Sequence, residues 1–246
     1  MKEPEFRHVE LGDVSSTNVE CMERARAGDP GRLWVTASRQ TGGRGRRGRT
    51  WISEPGNLYA SLLLIDPAPW ENMASLPLAV TLAVHAAVAT QLPGGTDRLR
   101  IKWPNDLLID GCKTAGILIE AEQLNDGRRA VVIGCGVNIA HKPEAGLYPA
   151  TCLVDQGSSG TPQDLFAHLV VCMDKALSDW DRGSGLPVIR DAWIERADGI
   201  GKPVTVNLPD RQIHGLFDGI DSEGRLMLAT ADGQKQMIAS GDVFFS

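Results

Sequence analysis

The 246-residue sequence predicts an α+β domain followed by a small all-β module, and three observations carry that reading. Hydrophobic content of 42% against 23% charged residues is that of a globular chain. Strand-like and helix-like segments are interspersed as far as residue 199. Beyond Lys202 only short strands separated by turns remain. The change of character divides the chain into residues 1–199 and 200–246.

A chain of this size buries a sizeable core without disulfides. Its five cysteines (Cys21, Cys112, Cys135, Cys152, Cys172) are odd in number, widely spaced and form no CxxC, which points to a reducing compartment and away from a metal site. The first residues, Met-Lys-Glu-Pro-Glu-Phe-Arg-His, are too charged for a signal peptide, and the most apolar run, Leu76 to Val88, is too short to span a bilayer. A soluble, cytoplasmic chain is expected, with no membrane partner. The formal net charge of −6 disfavours a general nucleic-acid binder.

Taken in order, Val9 to Val14 reads as a first strand. Ser15-Ser16-Thr17-Asn18 then offers N-cap residues to a helix over Asn18 to Ala27, stopped by Gly28-Asp29-Pro30-Gly31. The same hydroxyls and amide suit a polar ligand head, and the run alone does not choose between cap and site.

Leu33 to Ser38 is a strand leading into Thr36 to Trp51, which holds five arginines and four glycines and no acid. Glycines let the backbone turn with positive φ, while successive amides and guanidinium forks favour phosphate or carboxylate. Gly43 to Gly48 satisfies GxGxxG, yet Pro55, Gly56 and a strand over Leu58 to Ile65 follow where a dinucleotide fold needs a helix. A nucleic-acid-binding RG tract and a plain solvated basic loop are the other readings; a loop closing over a small anion best explains the interleaving.

Asn72 to Leu92 reads as one apolar helix with Pro93-Gly94-Gly95 after it, and His85 within it as a packed core residue. Leu99 to Glu120 reads as a hairpin turning at Asp110-Gly111, its first strand broken at Trp103 to Asp106 by Pro104. The break puts Lys102, Asn105, Asp106 and Lys113 where loop-borne chemistry sits, unless the lysines only decorate a wet face. Asn125-Asp126-Gly127 turns the chain into Ala130 to Ile139, where Gly134 and Gly136 imply close approach of a ligand or another backbone, and Asn138 ends the strand. Helices follow from Thr161-Pro162 to Trp180 and from Pro187 to Arg196, with Ile189 and Trp193 as core. Val204 to Val206, Ile213 to Phe217, Leu226 to Ala229 and Gln236 to Ala239 are the short strands of a small barrel.

With these segments in hand the sequence resembles the biotin–protein ligases, which biotinylate carboxylase carrier domains. Ser15-Ser16-Thr17-Asn18, the Gln40 to Arg49 loop, Lys102-Trp103-Pro104-Asn105-Asp106, the Lys113 to Leu118 strand, the Gly134 to Asn138 segment and the terminal module carry the likeness across nearly the whole chain. The resemblance implies a mixed β-sheet flanked by helices, like class II aminoacyl-tRNA synthetases, over 1–199, and an SH3-like β-barrel over 200–246. With 14 residues before Ser15, it implies the form without the N-terminal DNA-binding domain, acting on no DNA.

The activity implied has two steps. The biotin carboxylate attacks the α-phosphate of ATP with Mg²⁺ assistance, and a lysine of a biotin carboxyl-carrier domain then takes the biotinyl group. By resemblance Lys113, Arg46, Lys102 and Asp106 are catalytic. Ser16, Thr17, Asn18, Gln40, Gly43, Arg44, Gly116, Gly134 and Gly136 bind biotin; Arg46, Arg47, Arg49, Trp51, Asn105, Lys113 and Asn138 bind ATP or the adenylate. Mg²⁺ is held mainly by the phosphates, and the chain is a monomer or homodimer. One departure is Asp218, which stands where a basic residue can occur. A lipoate ligase, with the same fold and adenylation chemistry, and a biotin-sensing regulator without turnover are the alternatives.

Overall fold

The computed structural model describes residues 5–144 and 149–245; the first four residues, on which the charged-N-terminus reading partly rests, lie outside the described residues. Seven strands, β1 (Arg7–Val14), β2 (Leu33–Gln40), β3 (Leu58–Ile65), β4 (Leu99–Lys102), β5 (Asp106–Ile109), β6 (Cys112–Gln123) and β7 (Arg129–Val137), form one sheet in the order β1-β2-β3-β7-β6-β5-β4. β3 is buried on both faces, and its central place follows. Only β1 and β2 run parallel, joined across α1 (Thr17–Arg26); every other neighbouring pair is antiparallel, so the sheet is mixed as expected.

Period-two alternation sorts the two faces. Leu33, Val35, Leu63 and Val132 pack with Cys21 and Ala25 of α1. Their neighbours Trp34, Leu62, Leu64, Val131 and Ile133 enter a larger core with α2 (Leu76–Ala89), α3 (Pro162–Trp180) and α4 (Leu186–Arg196). Thr161 and Asp164 close a capping box before α3.

The helix expected over Asn72 to Leu92 is shorter. A 3₁₀ turn, Trp70–Ser75, precedes α2, because Pro77 lacks an N–H and fits only the first turn. Turn and helix together, Trp70–Ala89, are long and apolar enough to cross a membrane, beyond the Leu76–Val88 run; most of that window is buried in the core between sheet and α3. His85 is the satisfied core residue anticipated. Its Nε2 sits 3.2 Å from the Leu99 carbonyl, and burial lowers its pKa to about 4.

The C-terminal strands, β8 (Pro203–Asn207), β9 (Gln212–Ile220), β10 (Leu226–Ala229), β11 (Lys235–Ile238) and β12 (Asp242–Phe245), make a five-stranded antiparallel sheet in the order β11-β10-β9-β8-β12. Among the described residues it has two edges, β11 and β12, rather than a closed ring, and β12 was absent from the expected strands. This module does not stand apart. Val204, Phe217 and Leu226 share the large core with Trp103, whose indole N–H donates to the Gly224 carbonyl (3.3 Å), and Arg190 Nε donates to the Ile220 carbonyl (2.8 Å).

What positions the site is a change of side-chain size on the α1 face. β3 passes from Leu63 to Ser61, and β7 from Val132 to Gly134 and Gly136, at one level of the sheet. The apolar layer stops there, leaving a hollow beyond the N-terminus of α1.

Candidate active site

The hollow is a cavity of about 220 Å³, bounded by the first turn of α1, β6, β7, the loop between β2 and β3, the turn between β4 and β5, and the start of β12. Its inner end is neutral. Ser16 is the N-cap of α1, yet its side chain makes no capping bond, so the hydroxyl lines the cavity beside the positive end of the helix. Gln40 Oε1 accepts from the Thr17 amide (2.9 Å) and hydroxyl (3.1 Å), and its Nε2 donates to Ser53 Oγ (3.1 Å). Ser61 Oγ lies 2.7 Å from Thr17 Oγ1 and 2.6 Å from Asn18 Oδ1. Asn18 Nδ2 donates to Glu120 Oε2 (2.8 Å) and the Leu118 carbonyl (3.4 Å). A Cβ at Gly134 would strike the Asn18 carboxamide.

The arginine loop is a narrow-necked hairpin. Trp51 N donates to the Gly43 carbonyl (2.9 Å) and Gly45 N to the Arg49 carbonyl (2.7 Å), with Arg44 bridged to Thr50. A Cβ at Gly43 would lie 2.5 Å from the Trp51 carbonyl oxygen, so the neck accepts only glycine there. The tip turns at Arg47 and Gly48, with φ of 56° and 71°. Trp51 folds back onto the sheet: a Cβ at Gly136 would sit 2.7 Å from its ring, one at Gly116 3.0 Å, and Lys113 Nζ lies 5.4 Å from the ring centroid. The close approach expected at Gly134 and Gly136 is thus made by side chains of this chain, Asn18 and Trp51, not by a second backbone.

The outer end is charged. Lys113 Nζ pairs with Asp106 Oδ1 at 2.7 Å, where β5 and β6 shift register at Leu107/Leu108. Lys102 is buried with its Nζ 5.6 and 5.8 Å from the rings of Phe244 and Phe245. Burial lowers its pKa to about 8, Lys113 and Arg49 adding to the effect while Asp106 and Asp242 oppose it. Arg46 donates to Asn105 Oδ1 (3.2 Å) and Ser240 Oγ (3.1 Å), and burial holds it below the usual arginine range. Asn105 Nδ2 donates to the Ile117 carbonyl. Asn138, buried at the end of β7, donates to the Thr151 carbonyl (3.1 Å).

Of the residues singled out from sequence, Ser16, Thr17, Asn18, Gln40, Arg44, Arg46, Arg49, Trp51, Lys102, Asn105, Asp106, Lys113, Gly116, Gly134, Gly136 and Asn138 line this one cavity. Gly43 does not; it forms the loop neck. Nor does Arg47, which pairs with Asp242 Oδ2 at 2.9 Å. Asp218 lies outside the lining and pairs with Lys235. Sequence reasoning missed Ser53, Ser61, Glu120, Ser240 and Asp242. Among the described residues no group of three or more His, Cys, Asp or Glu could hold a metal. The lining carboxylates are Asp106 and Asp242, each paired to cations. An uncharged polar head fits one end of such a cavity and a polyanion the other.

Known proteins resemble this chain in sequence and fold. The model of the Biotin/lipoate A/B protein ligase family matches residues 14–138, and that of the Biotin protein ligase C terminal domain matches 199–246. The chain is 36% identical over 241 residues to a biotin–[acetyl-CoA-carboxylase] ligase of Paracoccus denitrificans, covering 96% of this chain and 99% of that one. The solved structure of a biotin protein ligase from Aquifex aeolicus in complex with biotin and ATP superposes with a TM-score of 0.82 at 26% identity, covering 98% of this chain and 99% of that one. A Leishmania major biotin protein ligase in complex with biotinyl-5-AMP gives 0.68 at 28%, covering 95% and 99%.

Proposed function

The chain belongs to the biotin/lipoate A/B protein ligase family, and from that premise we propose that it adenylates biotin with ATP and transfers the biotinyl group to a lysine of a carboxylase carrier domain. The observation that carries the reading is the pairing of a neutral amide-and-hydroxyl pocket, built on Thr17, Asn18 and Gln40, with Lys113, Lys102 and Arg46 in one cavity.

The neutral end takes the ureido head, whose carbonyl and N–H groups match Ser16, Thr17, Asn18 and Gln40. The acyl chain runs past Asn18 and Trp51, which cover Gly134, Gly136 and Gly116, and its carboxylate comes beside Lys113. There it attacks the α-phosphorus, and the bond to the pyrophosphate oxygen breaks. Two anions must meet for this, so cations that neutralise the pentacovalent centre lower the barrier. Lys113 leaves Asp106 for the reacting oxygens, while Arg46, Arg49 and Lys102 balance the phosphates. Asn138 and Trp51 flank the adenine. In the second step the carrier lysine arrives as an ammonium beside Asp106 and gives that carboxylate a proton; its free amine attacks the acyl carbonyl, the carbon–oxygen bond to AMP breaks, and AMP leaves with the electron pair. Bound Mg²⁺ would supply charge neutralisation to the leaving pyrophosphate; the donor set suits an ion carried by the phosphates, with Asp106, which Lys113 leaves, as the protein carboxylate on hand.

We assign residues 1–199 to catalysis and 200–246 to the module that closes the site, and place the reaction in the cytoplasm, where the five free cysteines stay reduced. ATP–pyrophosphate exchange tests the reading. Exchange dependent on biotin is expected; exchange with lipoate alone would overturn the choice of acid. Tight biotin binding without labelling of a carrier would leave a sensor.

A further inference from the structure

The neck of the arginine loop closes on itself through the Gly43–Trp51 and Gly45–Arg49 backbone bonds, and it is fastened to the first domain by Thr41 N and Gly42 N on the Val14 and Ser15 carbonyls (both 2.8 Å) and by Arg44 paired with Glu120 at 3.2 Å. Its tip is fastened elsewhere. Asp242 Oδ2 takes Arg47 at 2.9 Å, Asp242 Oδ1 takes Arg49 at 2.8 Å, and Ser240 accepts from Arg46. The Asp242 side chain is only 15% exposed, and it opens β12, the strand whose Phe244 and Phe245 flank Lys102. One carboxylate of the small module thus holds two guanidiniums of a turn that is also held by Arg46 on Asn105 (3.2 Å) and by bonds within itself.

We propose that Asp242 is a positioning residue: it holds the arginine loop across the cavity, and through it the C-terminal module sets how long an acyl-adenylate stays enclosed. The inference rests on the ligase reading for the identity of the enclosed species, though not for the contact itself. Asp242 touches neither reactant. It acts on Arg47 and Arg49, orienting Arg49 where phosphate oxygens arrive and, through both, holding the loop over the reactive anhydride.

Two measurements on the full chain separate this proposal from the ligase reading. In the ligand-free protein, Asp242→Asn keeps the shape and removes the charge, and trypsin should cut at Arg44 to Arg49 about tenfold faster, the order expected for two partly exposed charge-assisted pairs. Asp242→Glu should restore most of the protection. With biotinyl-AMP preformed and then diluted, escape should quicken by a similar factor in Asp242→Asn, with bystander lysines labelled, and not in Asp242→Glu. Loop cleavage at the wild-type rate in Asp242→Asn, or equal acceleration in Asp242→Glu, would overturn the proposal. Cleavage along the whole of Asp242→Asn would signal lost fold, and Arg49→Gln then breaks the pair from the loop side, read at Arg44, Arg46 and Arg47. A wild-type chain that makes no adenylate would sink the ligase reading while the cleavage result still decides the role of Asp242.

Discussion

The two ends of the cavity share one face of one sheet but hold their side chains by different means. At the inner end, Thr17, Asn18, Gln40 and Ser61 bind one another through neutral hydrogen bonds on a helix and strands that packing already fixes. At the outer end, Lys113 and Arg49 sit on a strand start and a loop, each paired with a carboxylate. A neutral network of this kind is costly to rearrange, because an orphaned buried group loses water as well as its partner. An ion pair at a cavity mouth exchanges readily, since an arriving phosphate replaces the carboxylate oxygen for oxygen. Recognition is therefore built rigid, and charge handling is built to swap.

The largest effect should come from the exchangeable end. Lys113→Ala removes the cation nearest the reacting oxygens, and adenylate formation should fall about 10²- to 10³-fold in pyrophosphate exchange, with the unfolding transition in place. A loss confined to KM would mean that Lys113 only binds, and the contrast between the ends would weaken. Next is Asn18→Ala, which takes one partner each from Ser61, left with Thr17, and Glu120, left with Arg44. Biotin affinity by calorimetry should drop about tenfold or more, with KM for ATP moving far less. Equal shifts in both would show that the ends do not work separately.

A third test sharpens the contrast through pH. Burial lowers the Lys102 pKa to about 8, so the group is charged below that pH and neutral above it. If its charge serves the phosphates, kcat/KM for ATP, which reports the free enzyme, falls as pH rises through about 8. Lys102→Arg keeps the cation and should carry that limb to higher pH; an unmoved limb would assign it to another group. The smallest effect belongs outside both ends. Asp218→Asn breaks an exposed pair with Lys235 and should change stability by under about 0.5 kcal/mol in thermal unfolding, with exchange activity kept.

How much was readable in the chain follows from the range of each signal. β3 and the β5–β6 hairpin were plain because an apolar run and Asp110-Gly111 are local features. The lining lysines, Lys102 and Lys113, were picked out because Pro104 breaks a strand where they cluster. Glu120 was missed because its partner, Asn18, is 102 positions away, and no pattern along a strand marks a carboxylate as structural support. Ser61 is one small residue in an otherwise apolar strand and looks like mere tolerance until Asn18 is set against it. Asp242 meets Arg49 across 193 positions, in a four-residue strand too short to read. The break before α2 was missed because composition stays helical there and only Pro77 objects.

Gly134 and Gly136, with Asn18 and Trp51 laid on them, act as a ruler. The two glycines are one pleat repeat apart, about 6.8 Å, on backbone locked between β3 and β6, so the spacing of the Asn18 amide and the Trp51 ring pressed onto them, and with it the span the proposed reaction needs from head group to reactive end, is set by peptide geometry. An analogue with one methylene more or fewer would seat its head normally yet bring its terminus about 1 Å from true, a misplacement able to cost about 10² in rate. Selection by tail length is thereby written into main-chain pitch, where few substitutions can reach it.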